Sequence, residues 1–384
     1  MSYITQFKAK QHLIPPPWRE CQELSQGDIR AIQYEGAPYR GKPTSCFAWL
    51  GLPKGASAKR RVPGIVLIHG GGGTAFSDWV EIWMKHGYAV IAMDTCGSQP
   101  AWSADIYWAP QWPRLPDGGA PGWGGFEQLD EPLADQWCYQ ATAAVLRGTA
   151  LLRSLPEVDE SRIGVAGISW GGYLTLLATT VAPQGTYRFA IPVYASAGFT
   201  AYPTSILWGR PEITPEQVKR WTDLWDPLPV LPKNHTPMLF LTDAEDVAYA
   251  LPSWQQTTET VSGPVQRSMR IEFPHGHQFS FRSRTEAVFA EAMLKGKPLP
   301  VWGKPNLNGK ALTCEFHANG QKPQETTLCY TRAEGLWCDR RWYTASAKHG
   351  TNVLSAELPA YATTAFFLVK DSQGCQWSSP VWGL

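Results

Sequence analysis

The chain carries almost no excess charge: 34 Lys and Arg stand against 33 Asp and Glu, a formal net charge of +1 over 384 residues. Such a balance supplies no field that would hold nucleic acid or an anionic membrane surface, so neither is expected as a partner. Long hydrophobic runs are missing too. No stretch reaches the ~18 consecutive apolar residues of a membrane span, and the opening MSYITQFKAKQHLIPPPW has no apolar core of a signal peptide, which makes a cytoplasmic location the expectation. The cysteines at 21, 46, 96, 138, 314, 329, 338 and 375 show no CxxC or other close spacing, so free thiols rather than a metal site are expected. Four glycines at 70 to 73 are not followed by G-K-[ST], the nearest downstream lysine being Lys85, which argues against a phosphate-binding loop. Internal repeats and low-complexity tracts are absent as well.

What is present is tryptophan, with 19 residues, and a regular succession of short apolar runs. GIVLI (64–68), YAVIAMD (88–94), IGVAGIS (163–169), FAIPVY (189–194), PMLFLT (237–242) and RIEF (270–273) are apolar throughout rather than alternating, as strands of a parallel sheet buried on both faces are. Helical spacing at 78–86 and 135–154 falls between them, and the alternation predicts an α/β fold. Ahead of these, 28–53 reads as an antiparallel strand pair at the sheet edge, and 284–294 as the closing helix. A Pro- and Gly-rich linker (295–305) follows, and the segments after it carry β-branched and aromatic residues in partial alternation. The expected organisation is therefore a catalytic α/β domain over 1–300 and an all-β sandwich of immunoglobulin or fibronectin type over 301–384. The second unit could also serve as a contact surface, which leaves a homo-oligomer open. Two long connections, 97–134 and 199–236, are rich in Trp, Gly and Pro and follow the carboxyl ends of strands, where open α/β sheets bind ligands.

The chemistry is carried by GVAGISWGGY (164–173), which contains the G-x-S-x-G pattern Gly167-Ile168-Ser169-Trp170-Gly171. That pattern needs a strand, a sharp turn and a helix, so that the serine oxygen stands above the sheet. A strand-like run precedes it and YLTLLATTV follows. An acid and then a histidine should come later in the chain. TDAEDVAYALP offers Asp243 and Asp246 just past a strand end, with Asp246 the better placed because a turn residue suits the earlier position. PHGHQF offers His275, first in its turn, with His277 as the alternative base. For the oxyanion, the backbone N–H groups of Gly71 and Gly72 in HGGGGTAF are candidates, together with that of Trp170 after the serine. Trp102, Trp108, Trp123 and Trp137 are candidate substrate-binding residues, since flat aromatic faces suit sugar rings and aromatic acyl groups.

With these residues in place, the chain resembles the α/β-hydrolase superfamily and, within it, the dienelactone-hydrolase and acetyl-xylan-esterase-like branch. The resemblance covers roughly residues 30 to 295 and rests on YEGAPYRGKPTSCFAWLGLP, HGGGGTAF with GYAVIAMD, DQWCYQA, VDESRIGVAGISWGGYLT and LWDPLPVLP. It implies an acyl-enzyme mechanism on a small-molecule ester without a cofactor: Ser169 attacks, His275 moves the proton, Asp246 orients His275 and the glycine loop stabilises the oxyanion. Dienelactone hydrolases use a cysteine nucleophile, so a serine here favours the esterase side of the branch, with a carbohydrate ester such as an acetylated sugar as the expected substrate. Two other readings stand beside it. One is a serine peptidase or amidase of prolyl-oligopeptidase type, although nothing in the chain resembles that family's β-propeller. The other is a carbohydrate-binding protein on a hydrolase scaffold, which would have no need of the acid and base.

Overall fold

A computed structural model describes residues 3–100, 106–109, 111–208, 210–332 and 334–384. The apolar runs form the middle of a nine-stranded sheet. In chain order its strands are β1 (Trp18–Glu20), β2 (Ile29–Glu35), β3 (Ser45–Gly51), β4 (Val62–Ile68), β5 (Ala89–Met93), β6 (Val158–Ile168), β7 (Phe189–Val193), β8 (Met238–Asp243) and β9 (Val265–Arg270). They lie side by side as β1-β2-β3-β5-β4-β6-β7-β8-β9. The first three strands pair antiparallel, β3 pairs antiparallel with β5, and all later pairings are parallel.

The helices are α1 (Ala9–His12), α2 (Ser77–Lys85), α3 (Trp137–Ser154), α4 (Trp170–Val181), α5 (Pro215–Trp225), α6 (Leu251–Thr260) and α7 (Arg284–Lys295). Successive strand residues point to opposite faces, which explains why the runs are apolar throughout. Val66, Ile68, Ile91 and Val165 pack with residues of α3, α4 and α6, whereas Ile65, Leu67, Val90 and Ala166 pack with residues of α2 and α7. Among the described residues no helix is long and apolar enough to cross a membrane.

Two details depart from the sequence reading. The last strand lies at Val265–Arg270 rather than at 270–273, because the chain breaks from the sheet after Arg270 and Glu272 takes a left-handed φ of 63°. The 199–236 connection is not all loop: Thr214 caps α5 with a reciprocal capping box, and Trp221 and Trp225 are buried from that helix.

The C-terminal strands are β10 (Val301–Trp302), β11 (Asn306–Asn308), β12 (Ala311–His317), β13 (Pro323–Thr331), β14 (Trp342–Ser346), β15 (Lys348–Gly350), β16 (Val353–Glu357), β17 (Thr364–Asp371) and β18 (Gln376–Ser378). They form two antiparallel sheets, β10-β12-β16-β15 with β11 on β12, and β14-β13-β17-β18. Leu312, Phe316 and Leu354 of one meet Leu328, Phe367 and Val369 of the other. The second sheet is also covered on its outer face, where Cys329, Trp342 and Phe366 join the core of the α/β unit. Side chains tie the two units directly: Ser378 Oγ accepts from the Met269 amide (2.9 Å), Thr285 Oγ1 from that of Gln376 (3.0 Å), and Gln255 Oε1 from that of Val381 (3.2 Å).

Candidate active site

The turn between β6 and α4 is tight for a steric reason. A Cβ at Gly167 would run into the Gly171 carbonyl, so only glycine lets the strand and the first helical turn approach this closely. Ser169 between them adopts φ 56° and ψ −121°, a region that side-chain-bearing residues enter only under constraint. The constraint is visible: its amide donates to Val193 O (2.8 Å) and its carbonyl accepts from the Tyr173 amide (2.9 Å). Ser169 remains partly exposed while its neighbours Ile168 and Trp170 are buried.

The acid and base candidates separate cleanly. Asp246 Oδ2 lies 2.7 Å from His275 Nδ1, and its Oδ1 accepts from the amides of Ala248 (2.9 Å) and Tyr249 (2.7 Å). A carboxylate beside Nδ1 favours the tautomer that carries its proton there and leaves Nε2 as the acceptor. The Asp246 side chain is nearly buried, and that of His275 keeps 19% of its surface exposed. Asp243, whose carboxyl is pushed up by burial, spends both oxygens on the backbone, one on the Glu245 amide (2.9 Å) and one on that of Phe273 (2.6 Å). His277 is buried, and its Nε2 accepts from the Gly70 amide (3.0 Å). Burial, followed by the nearby rings of His69 and His275, lowers its pKa to about 3.

The glycine loop after β4 sits against the serine. A Cβ at Gly70 would fall 2.9 Å from the Ser169 Cβ, and one at Gly71 would fall 2.9 Å from Trp170 Cδ1. Among the described residues the amides of Gly71 and Gly72 donate no backbone hydrogen bond, and that of Trp170 opens α4, where amides have no partner within the helix. The loop is held from below. His69 Nδ1 bonds the Gly70 carbonyl (2.8 Å), His69 Nε2 accepts from the Thr95 amide (3.0 Å), and Thr74 Oγ1 donates to Asp94 Oδ2 (2.9 Å). Gly72 O accepts from both the Ala109 amide and Trp112 Nε1, each at 2.9 Å.

The tryptophans fall into different places. Trp108 is 65% exposed, and its indole covers Gly72 so closely that a Cβ there would overlap it. Trp123 is half-buried against Gly71. Trp137 does not reach the surface: it is fully buried with its ring edge-on to Trp170 at 5.5 Å, because the first turn of α3 points into the core, so its placement in a substrate surface is corrected. Trp102 lies outside the described residues. Among the described residues no cluster of three or more His, Cys, Asp or Glu side chains is placed to hold a metal. Tyr194, which no motif marks, lies against His275 with ring centroids 4.7 Å apart.

Residues 23–195 match the family model of acetyl xylan esterase. The fold is similar to that of an acetyl xylan esterase from Paenibacillus sp. R4, with 22% identity and a TM-score of 0.57 over 76% of this chain and 94% of that one. It is also similar to acetyl xylan esterase 1 from Thermoanaerobacterium sp. JW/SL YS485, with 16% identity and a TM-score of 0.54 over 75% of this chain and 93% of that one. The fold is that of the α/β hydrolases. Over residues 23–195 the chain is similar to acetyl xylan esterases, and the match supports a serine hydrolase acting on carboxylic esters. The match takes in the glycine loop and Ser169, while Asp246 and His275 lie beyond it.

Proposed function

We propose that this hydrolase removes small acyl groups, acetyl foremost, from a carbohydrate ester through an acyl-enzyme on Ser169. The observation that carries the reading is the 2.7 Å pairing of Asp246 with His275 Nδ1, which leaves Nε2 to take a proton. In the first half-reaction the Ser169 oxygen bonds the ester carbonyl carbon as its proton passes to His275 Nε2. The carbonyl oxygen becomes an oxyanion facing the amides of Gly71, Gly72 and Trp170, and losing one such donor typically costs ~10²–10³ in rate. As the carbon–oxygen bond breaks, the imidazolium returns the proton to the departing alcohol. Water then repeats the sequence on the acyl-enzyme and regenerates Ser169. Asp246 keeps the imidazole in its working tautomer. No step needs a metal or an organic cofactor.

A sugar as the alcohol half is supported by the exposed ring of Trp108 beside the glycine loop, since a flat apolar ring suits a pyranose face. The experiment ranks kcat/KM for acetylated xylo-oligosaccharides, feruloylated sugars, p-nitrophenyl esters of increasing chain length and blocked peptide amides. Acetylated oligosaccharides should rank first; a higher kcat/KM on a peptide amide overturns the reading.

A further inference from the structure

The imidazole of His275 lies against a ring that the reaction does not consume. Tyr194 is fully buried and follows directly on β7, with a φ of 48° that a bulky residue adopts only when its surroundings force it. Both ends of the residue are pinned. Its amide donates to Leu241 O (2.8 Å), and its hydroxyl donates to Pro274 O (3.0 Å), the carbonyl of the residue just before His275. Between those anchors the ring lies tilted by 30° against His275 at 4.7 Å and by 33° against Phe273 at 4.8 Å. Arg270 then sits over Phe273, with Cζ 4.6 Å from the ring centroid, and is fixed by Ser268, Ser283 and Thr285 hydroxyls. The residue before Tyr194 is Val193, whose carbonyl holds the Ser169 amide. One short segment therefore touches the backbone of the serine and the ring of the histidine.

We propose that Tyr194 is a positioning residue for the base, holding the His275 ring so that Nδ1 stays on Asp246 and presenting a π-face to the imidazolium that forms when the Ser169 proton is taken. The inference rests on the acyl-enzyme reading above. An aromatic face attracts a cation, and the imidazole becomes one as it takes the Ser169 proton, so the contact strengthens as the barrier is crossed. Tyr194 is not itself an acid or base here. Burial, with Asp246, Asp243 and Glu286 nearby and Arg270 opposing them, pushes its phenol far above the ordinary value, so it stays neutral.

The test compares Tyr194→Phe, Tyr194→Leu and Phe273→Leu in the full chain, with each rate divided by the sites titrated at the end point with a fluorophosphonate, so that only folded enzyme is counted. Tyr194→Phe keeps the ring and should stay within about threefold of wild type. Tyr194→Leu should lose about tenfold or more in kcat with KM within about twofold, the pattern of a contact made in the transition state. Phe273→Leu removes a ring of the same column without uncovering His275 and should resemble Tyr194→Phe. The proposal is overturned if Tyr194→Leu matches Tyr194→Phe, if its loss falls in KM alone, or if Phe273→Leu loses as much kcat. The underlying reading fails separately, if His275→Ala retains full activity.

Discussion

His277 Nε2 accepts the Gly70 amide at 3.0 Å, a bond that spans 207 residues and ties the loop that carries His275 to the glycine loop after β4. It requires a neutral imidazole, and burial supplies one by lowering the His277 pKa to about 3. The unfolded chain takes up a proton near the ordinary pKa of about 6.5, so the native state binds fewer protons between these values. Stability from His277 is therefore fully present above about pH 6.5 and falls as the pH drops below it, by up to ~1.4 kcal/mol per pH unit. His12, lowered to about 4 chiefly by burial, adds to the same trend, while Asp226, raised to about 6 by burial, opposes it. Urea unfolding from pH 8 to pH 5 should show a flatter pH dependence in His277→Gln than in wild type; parallel curves contradict the assignment.

Asp243 and Asp246 lie in one turn and differ in what they hold. Asp246→Asn keeps the shape but disturbs the His275 tautomer, and kcat should fall by ~10³–10⁴ with little change in melting temperature. Asp243→Ala strips acceptors from two backbone amides and should destabilise the fold by ~1–3 kcal/mol. Steady-state kinetics and thermal unfolding of the two variants check the split, and a reversed pattern would move the acid to Asp243.

Trp108 and Trp137 make an equally sharp pair, one 65% exposed and the other fully buried. Trp108→Ala should change stability by no more than ~0.5 kcal/mol and raise KM for an acetylated oligosaccharide while leaving that for p-nitrophenyl acetate alone. Trp137→Ala should cost ~3–5 kcal/mol through a core cavity. Equal KM effects on both esters in Trp108→Ala would remove that residue from sugar recognition.

The β14-β13-β17-β18 sheet packs into the core of the α/β unit. A chain ending at residue 300 would uncover the surface that Trp342, Phe366 and Val381 cover, and it should be insoluble or lack a cooperative transition. Within the full chain, Ser378→Ala removes the acceptor of the Met269 amide and should lower stability by ~1–3 kcal/mol. A soluble, fully active truncated chain contradicts this picture.

The parts that could be read from sequence are those fixed locally. Gly167 announces its turn because steric contact within five residues, with the Gly171 carbonyl, demands glycine there, and the strand–acid–strand–histidine order leaves two acids and two histidines, of which Asp246 and His275 pair in the structure. The start of β9 was hidden because VQRSMR is polar at an edge position, while the apolar Ile271 and Phe273 beyond it follow Arg270 out of the sheet. Tyr194 and the Gly70–His277 bond are contacts between distant segments, and no local pattern encodes them. The docking of the C-terminal sheet did leave a mark: Phe366, Phe367, Leu368 and Val369 are apolar on successive residues, which a strand needs only when both of its faces are covered.

The central claim is that Ser169 carries the acyl group. Mass spectrometry of the protein after brief reaction with a fluorophosphonate, followed by peptide mapping, reads it directly. The account predicts one adduct per chain on the peptide containing Ser169, with ester hydrolysis lost in proportion, and neither labelling nor hydrolysis in Ser169→Ala. Labelling at another residue, or ester hydrolysis surviving in Ser169→Ala, would contradict it.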